Sequence, residues 1–306
     1  MKIHINRKPV IGPWGGGNKT VQCLVEKLSS MGHSIVFDLN HSDIDTVFCF
    51  DPRPNDLGIW YQTFLDYKLK VNPKLKIIQR VGDVGTHGKP ELTNLVKSSV
   101  AYSDYIIFPS LWAKEYIEYS EDNFSVIRNR PLNKFHRHKK ESDNLSTKIK
   151  IVTHHWSTNS KKGFGVYQVL KSRLREHGID SEFTYIGRYP DSLSNSDINL
   201  IEAKDSDFLS RELPNHDIYF TASLEEAGAN HVLEGIASGL PVVFHKGGGS
   251  IVEYCDGYGN GFSSVDDLHS SFQEVIKNFK RYKDNCMLYN CTMEDTVSEY
   301  VDLICQ

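Results

Sequence analysis

The sequence predicts two α/β domains, each built on a parallel sheet, and three features lead to this. Short apolar runs of the buried-strand kind alternate with segments of helical spacing. The alternation fills one block, stops at a polar stretch and restarts. The two most unusual loops each follow a strand and precede a helix, which is where open parallel sheets bind ligands.

The first block opens with a strand at Lys2–Asn6, and the run Ile11-Gly12-Pro13-Trp14-Gly15-Gly16-Gly17-Asn18 then forbids regular structure. From Lys19, the residues Val21, Leu24, Val25 and Leu28 fall on one face of a helix that ends near Gly32. Strands follow at Ser34–Leu39, Asp45–Phe50, Lys76–Val81 and Tyr105–Ser110, with a helix at Pro90–Ser99, and the block closes near Ser125–Pro131. The stretch Asn133–Thr147 holds a single Phe and a single Leu among charged and polar residues, the composition of a linker. This sets a first domain over 1–135, a linker over 136–147 and a second domain over 148–291. The second block reads as a strand at Lys148–Thr153, a loop at 154–162, a helix from Gly165 to His177 and a strand at Phe183–Ile186. A strand at Asn199–Ala203, a short helix at Phe208–Leu213 and a strand at Asp217–Thr221 come next. In the last readable unit Asn230 caps a helix, Gly239 closes it, and Pro241–Phe244 is a strand.

Composition bounds the function. The chain has 306 residues, 39 % of them hydrophobic, with 35 Lys+Arg against 39 Asp+Glu, a formal net charge of −4. That is enough apolar material for real cores and excludes disorder as the main state. The acidic balance argues against nucleic acid as the main partner. There is no 18-residue apolar run, and Met1–Asn6 lacks a secretory core, so the expected place is the cytoplasm. Six scattered cysteines without a C-x-x-C pair read as reduced, structural thiols.

Two loops carry the chemistry. Gly15-Gly16-Gly17 leaves backbone N–H groups open to an anion at a helix start, although a tight turn without a ligand is the plainer reading of this loop alone. The second is the run from Glu226 to Val243. Glu226 leaves a strand, Ala227-Gly228-Ala229-Asn230 makes a bare loop, and Glu234 sits one turn into the helix. Small side chains let a ligand reach backbone amides, and two carboxylates flanking a helix N-terminus suit a phosphorylated sugar. Without a ligand they read as surface charges.

These residues resemble the retaining glycosyltransferases of family 4. That family carries Glu, seven residues, Glu, then a small-residue helix into Gly-Leu-Pro-Val-Val, as Glu226 to Val243 does here. The glycine loop, Met31-Gly32-His33, Ile127-Arg128-Asn129, Lys162-Gly163, Gly248-Gly249 and Asp256-Gly257 to Asn260-Gly261 extend the likeness. The resemblance implies the GT-B fold, two Rossmann-like parallel-sheet domains facing across a cleft, with the helix at about 292–306 packing back on the first. It implies sugar transfer with retention of configuration from a nucleotide-diphosphate donor, UDP-linked by analogy, to a glycan or lipid-linked acceptor in polysaccharide or O-antigen assembly. Such an enzyme works at the inner face of the membrane without a transmembrane segment. It needs neither cofactor nor metal, because Lys162 stabilises the departing diphosphate.

Carried over, Glu226 holds donor sugar hydroxyls and Glu234 the ribose. Gly16, Gly17 and Ala227–Asn230 bring backbone to diphosphate and sugar. The family's Arg five residues before Lys162 is Ser157 here, and His154, His155, Lys161 and Arg188, which follows Gly187, are the available replacements. On the sugar side of the first domain Arg80, Asp83 and His87 stand where the family carries a His. Asp43/Asp45 and Asp205/Asp207 resemble metal-binding D-x-D pairs in the wrong context. His136 and His138 read as linker, and Trp156 and Tyr189 as base-stacking or packing aromatics. The rival readings are a non-catalytic nucleotide-sugar-binding scaffold and a nucleotide-sugar epimerase on the same fold.

Overall fold

A computed structural model of the chain describes residues 1–10, 16–141, 144–193 and 197–306. Most of the glycine-rich run, residues 11–15, lies outside them. The chain divides into two compact units, Met1–Asn129 with Met293–Gln306, and Arg130–Thr292.

In the first unit the strands are β1 (Lys2–Ile5), β2 (Ser34–Val36), β3 (Thr46–Cys49), β4 (Lys76–Arg80), β5 (Tyr105–Phe108) and β6 (Phe124–Val126). They form one parallel sheet in the order β2-β1-β3-β4-β5-β6. Its helices are α1 (Gly16–Ser30), α2 (Tyr61–Lys70), α3 (Pro90–Val100) and α4 (Leu111–Ile117). The central strands are buried on both faces, with Ile3, Ile5, Val47, Phe48 and Ile78 fully covered, so they read as continuous apolar runs rather than alternating ones. Sequence periodicity did not mark α2 or α4. Each is short, and α4 is announced mainly by Ser110, whose hydroxyl accepts from the Ala113 amide at 3.0 Å.

The second unit holds β7 (Ile149–His155), α5 (Phe164–Glu176), β8 (Ser181–Gly187), β9 (Asn199–Ile201), α6 (Ser206–Glu212), β10 (Ile218–Thr221), α7 (Asn230–Ala237), β11 (Val242–His245), α8 (Ser250–Tyr254), β12 (Gly259–Phe262), α9 (Leu268–Lys277) and α10 (Phe279–Leu288). Its sheet runs β12-β11-β10-β7-β8-β9, again all parallel. Alternate strand residues supply two cores. Ile151, Phe183, Phe220 and Val243 pack with Tyr167 of α5 and Phe272 of α9, while Val152, Tyr219 and Val242 pack with Val232 and Ile236 of α7 and Ile251 of α8. α11 (Met293–Cys305) belongs to the first unit, where it lies against α1 and sets Tyr300 against Phe48.

The polar stretch expected as a linker is bound into the second unit, and the division falls before it, at Asn129–Arg130. Phe135 is fully buried in that unit's core, the His136 ring contacts the Cys291 carbonyl at 3.0 Å, and the Lys139 ammonium donates to the carbonyls of Cys286, Met287 and Tyr289 at the end of α10. A lysine that caps three helix carbonyls is indistinguishable in composition from a solvated one.

Candidate functional site

In the second sheet β7 has β8 on one side and β10 on the other, so the strand order reverses between β7 and β10. Loops diverge there, and the carboxyl ends of these two strands form the crevice where such sheets take ligands. Lys162, Glu226 and Glu234 all gather at that place.

β7 runs two residues beyond the sequence expectation, to His155, so that His154 and His155 are strand residues rather than loop residues. Register explains the extension: His154 and His155 pair with Ile186 and Gly187 of β8. Gly187 is required by this approach, because its φ is +144° and a Cβ there would stand 1.9 Å from the His155 carbonyl oxygen. The chain then turns at Asn159, whose side chain accepts from the Lys161 amide at 2.9 Å, and a short 3₁₀ turn at Ser160–Lys162 leads through left-handed Gly163 into α5. Ser157, in the place of the expected Arg, holds this turn by accepting from the Asn159 amide at 3.2 Å.

Three loops are tied together by backbone. The Leu224 amide donates to the Lys161 carbonyl at 2.8 Å, the Glu225 amide to Gly247 at 2.9 Å and the Glu226 amide to Gly248 at 3.1 Å, and the Glu226 carbonyl accepts from Ser250 at 2.8 Å. Glu225 takes a left-handed φ of 52° to make the turn. The result fixes Glu226 opposite Lys162. Their charged ends are 2.5 Å apart with side chains 14 and 12 % exposed. Lys161 pairs separately with Glu225.

Glu234, the fifth residue of α7, meets His154 at 2.6 Å, Oε2 to Nε2. The far side of the same ring, Nδ1, is 3.0 Å from the Tyr219 hydroxyl, which also accepts the His154 backbone N–H at 3.2 Å. The same hydroxyl is also 3.4 Å from the His154 carbonyl oxygen, and the Glu234 carboxylate accepts from the ring Nε2. Burial pushes the Tyr219 hydroxyl well above the usual phenol range, so it stays a donor. His154 thus meets Glu234 with one ring nitrogen and Tyr219 with the other.

Beneath these residues lies a polar core that the sequence did not announce. The His155 Nε2 is 2.7 Å from the Tyr167 hydroxyl, its ring is 4.7 Å from that of His231, and the His231 Nε2 is 3.1 Å from Thr221 Oγ1. The Tyr167 hydroxyl accepts from the Ala222 amide at 3.2 Å and is pushed up to about 12 by burial. His155, already among the candidate replacements for the Arg, enters this core as the last residue of β7, while His231 lies on the apolar face of α7 and reads from spacing as a polar outlier.

The helix cap differs from expectation. Ala229 is the N-cap and Asn230 the first helical residue, and the Ala229 amide donates to the Ser250 hydroxyl at 3.1 Å. Of the amides expected to face a ligand, this one is spent within the protein. Ala227 is buried, while Gly228 and Asn230 are half-buried. Arg188 is exposed at the end of β8 and stacks on Trp156, its guanidinium 4.3 Å from the ring centroid. That contact assigns Trp156 a cationic partner.

In the first unit, α1 starts at Gly16, and Gly17 faces Phe50 and Arg7. Arg80 ends β4, with its Nε 3.0 Å from the Tyr300 hydroxyl and its Nη2 3.2 Å from Asn129 Oδ1. Asp83 pairs with Lys89 at 2.9 Å and accepts from the Gly85 amide; burial opposes its ionisation, but these two bonds prevail and hold its carboxyl below the usual range. His87 is half-buried on the loop before α3. The D-x-D candidates have other tasks: Asp43 binds Lys2, Asp45 accepts the Lys2 amide, Asp205 caps α6 and Asp207 binds Lys134.

No family model matches the sequence, and no curated protein matches it. Solved structures do. Sucrose-phosphate synthase from Thermosynechococcus elongatus superposes with a TM-score of 0.69 at 13 % identity, over 99 % of this chain and 98 % of that one. The lipopolysaccharide outer core galactosyltransferase WaaB in its apo form gives 0.72 at 13 % identity, covering 99 % of each chain. Anabaena HepE in complex with UDP and glucose gives 0.69 at 10 % identity, over 100 % of this chain and 99 % of that one. With two parallel six-stranded sheets and neighbours of this kind along its whole length, the chain has the GT-B fold of glycosyltransferases.

Proposed function

We propose that this chain is a glycosyltransferase that moves a sugar from a nucleotide-diphosphate donor, a UDP-sugar, to a hydroxyl of a glycan or lipid-linked acceptor with retention of configuration and without a metal ion. The observation that carries the reading is the meeting of Lys162, Glu226 and Glu234 at the strand-order reversal of the second sheet. A departing nucleoside diphosphate gains negative charge, and a fixed ammonium beside a helix start offsets that charge. Glu226 presents a carboxylate to sugar hydroxyls, and Glu234, held by His154 through one oxygen, keeps the other for the ribose. The spacing of the two glutamates in sequence, shared with family 4, supports retention. The neighbours' ligands support the donor class: HepE binds UDP and glucose, and WaaB is a galactosyltransferase. No helix among the described residues is long and apolar enough to cross a membrane.

The test is a panel of nucleotides and nucleotide sugars, read first by thermal shift and then by turnover in EDTA. A ligand that binds only the folded state raises the midpoint by mass action. One nucleotide sugar that is transferred or slowly hydrolysed in EDTA supports an enzyme. Binding without either outcome means a scaffold, and activity that returns only with Mn²⁺ or Mg²⁺ sinks the metal-free route.

A further inference from the structure

Arg80 is 6 % exposed and has no carboxylate partner among the described residues. Asp83, three residues on, pairs with Lys89 at 2.9 Å; Asp51, next to Phe50, pairs with Arg53 at 2.6 Å; and residues 11–15 contain no acid. Its guanidinium instead lies over the Phe50 ring at 4.6 Å, with Arg7 near the same ring at 5.7 Å. Of five N–H donors, Nε serves Tyr300 and Nη2 serves Asn129, both neutral, and the Nη1 hydrogens meet no acceptor among the described residues. Nη1 reaches past the end of β4 to Gly82, where a Cβ would stand 2.3 Å from it; Gly82 itself is exposed. With no side chain at Gly82, this donor is left uncovered at the carboxyl edge of the sheet, where α/β proteins bind ligands. An unpaired buried cation is costly, and a clamp between β4 and Tyr300 of α11 could be made by a neutral amide at less cost.

We infer that Arg80 is an anion site for the acceptor: the acceptor carries a phosphate or carboxylate that takes the Nη1 side of the guanidinium, with Arg7 adding charge across Phe50. This rests on the transferase reading only in assigning the anion to the acceptor. Arginine suits the task because its planar fork binds such groups through two parallel hydrogen bonds.

The experiment compares the full-length wild type with Arg80→Met, Arg80→Lys and Tyr300→Phe. Binding of glucose 6-phosphate, glucuronate, glucose and UDP is measured by calorimetry. The wild type is expected to bind one anionic sugar at least about tenfold tighter than glucose, the phosphate and carboxylate arms telling which group is taken. Arg80→Met loses that preference, Arg80→Lys keeps part of it, and Tyr300→Phe, which loosens the clamp but leaves the charge, keeps most of it. UDP affinity stays within about twofold in all four. Equal binding of charged and neutral sugars by the wild type overturns the inference. So does an anion preference that survives in Arg80→Met. Should Arg80→Met fail to fold, the contrast between Arg80→Lys and Tyr300→Phe decides. Loss of UDP binding with Arg80→Met reassigns the residue to the donor. Absence of UDP binding in every protein fails the transferase reading while leaving the sugar comparison intact.

Discussion

The ammonium of Lys162 lies 2.5 Å from Oε1 of Glu226, and both side chains are largely covered. In the protein without donor, each is the other's counter-ion. Removing one leaves the other charge poorly compensated, so the two substitutions are expected to be non-additive.

Glu226→Ala is expected to lower kcat more than it raises donor KM, because hydroxyls that shift as the sugar becomes cation-like are held most tightly in the transition state. A charged hydrogen bond of this kind contributes about 1.5 to 3 kcal/mol, roughly ten- to a hundredfold in rate. Kinetics on Glu226→Ala, Lys162→Ala and the double variant form a cycle; turnover unchanged in Glu226→Ala removes it from the site.

His154→Phe tests the chain Tyr219, His154, Glu234. Glu234 loses the donor that fixes its carboxylate, so nucleotide affinity should fall about three- to tenfold while kcat at saturating donor stays close to wild type. Tyr219→Phe should show a smaller fall of the same kind. If His154→Phe binds UDP normally while Glu234→Ala does not, the carboxylate needs no orienting.

A pH profile tests His4. It lies in β1, is fully buried, donates from Nδ1 to the Asp38 carbonyl at 3.1 Å, and its Nε2 has no partner among the described residues. Burial lowers its pKa to about 4. The unfolded chain, with histidine near 6.5, then binds the proton first as pH falls, so stability is full above about 6.5 and is lost toward 4. At pH 5 the loss is about 2 kcal/mol from this residue. Urea unfolding at pH 7 and pH 5 should show the difference shrinking by that amount in His4→Leu; parallel losses in both proteins would exclude His4 as the cause.

How far the sequence could be read depended on where each signal lay. Central strands such as Lys76–Arg80 and helix α7 were visible because apolar runs and period-3.6 spacing are local properties. The side chains of Lys162, Glu226 and Glu234 could be singled out by motif, but nothing local says that Glu226 faces Lys162 or that His154 faces Glu234. Those pairings are made by the β7–β10 adjacency and by backbone bonds from the loop at 247–250. The linker expectation failed for the same reason. Lys139 looks solvated until α10 supplies the carbonyls it binds, and His136 until the segment after α10 brings up the Cys291 carbonyl.

The final prediction ranks the cations. Among those near the carboxyl ends of β7 and β8 are Lys162 on the turn and Arg188 on Trp156. If the diphosphate takes Lys162 from Glu226, Lys162→Ala should damage donor binding and turnover together, by roughly ten- to a hundredfold in kcat/KM. Arg188→Ala should cost less, since its guanidinium is exposed and already stacked, and an exposed charge is screened by solvent. Lys162→Arg should be a partial rescue, because a planar fork replaces a compact ammonium at a turn closed by Gly163, where a Cβ would meet the Ala222 carbonyl at 2.5 Å and leave little room to adjust. Measuring UDP affinity and kcat for the three variants separates the cases. Normal binding and turnover in Lys162→Ala with failure in Arg188→Ala would mean that the phosphate site is built on the β8 end, with Ser157 and Lys162 both outside it.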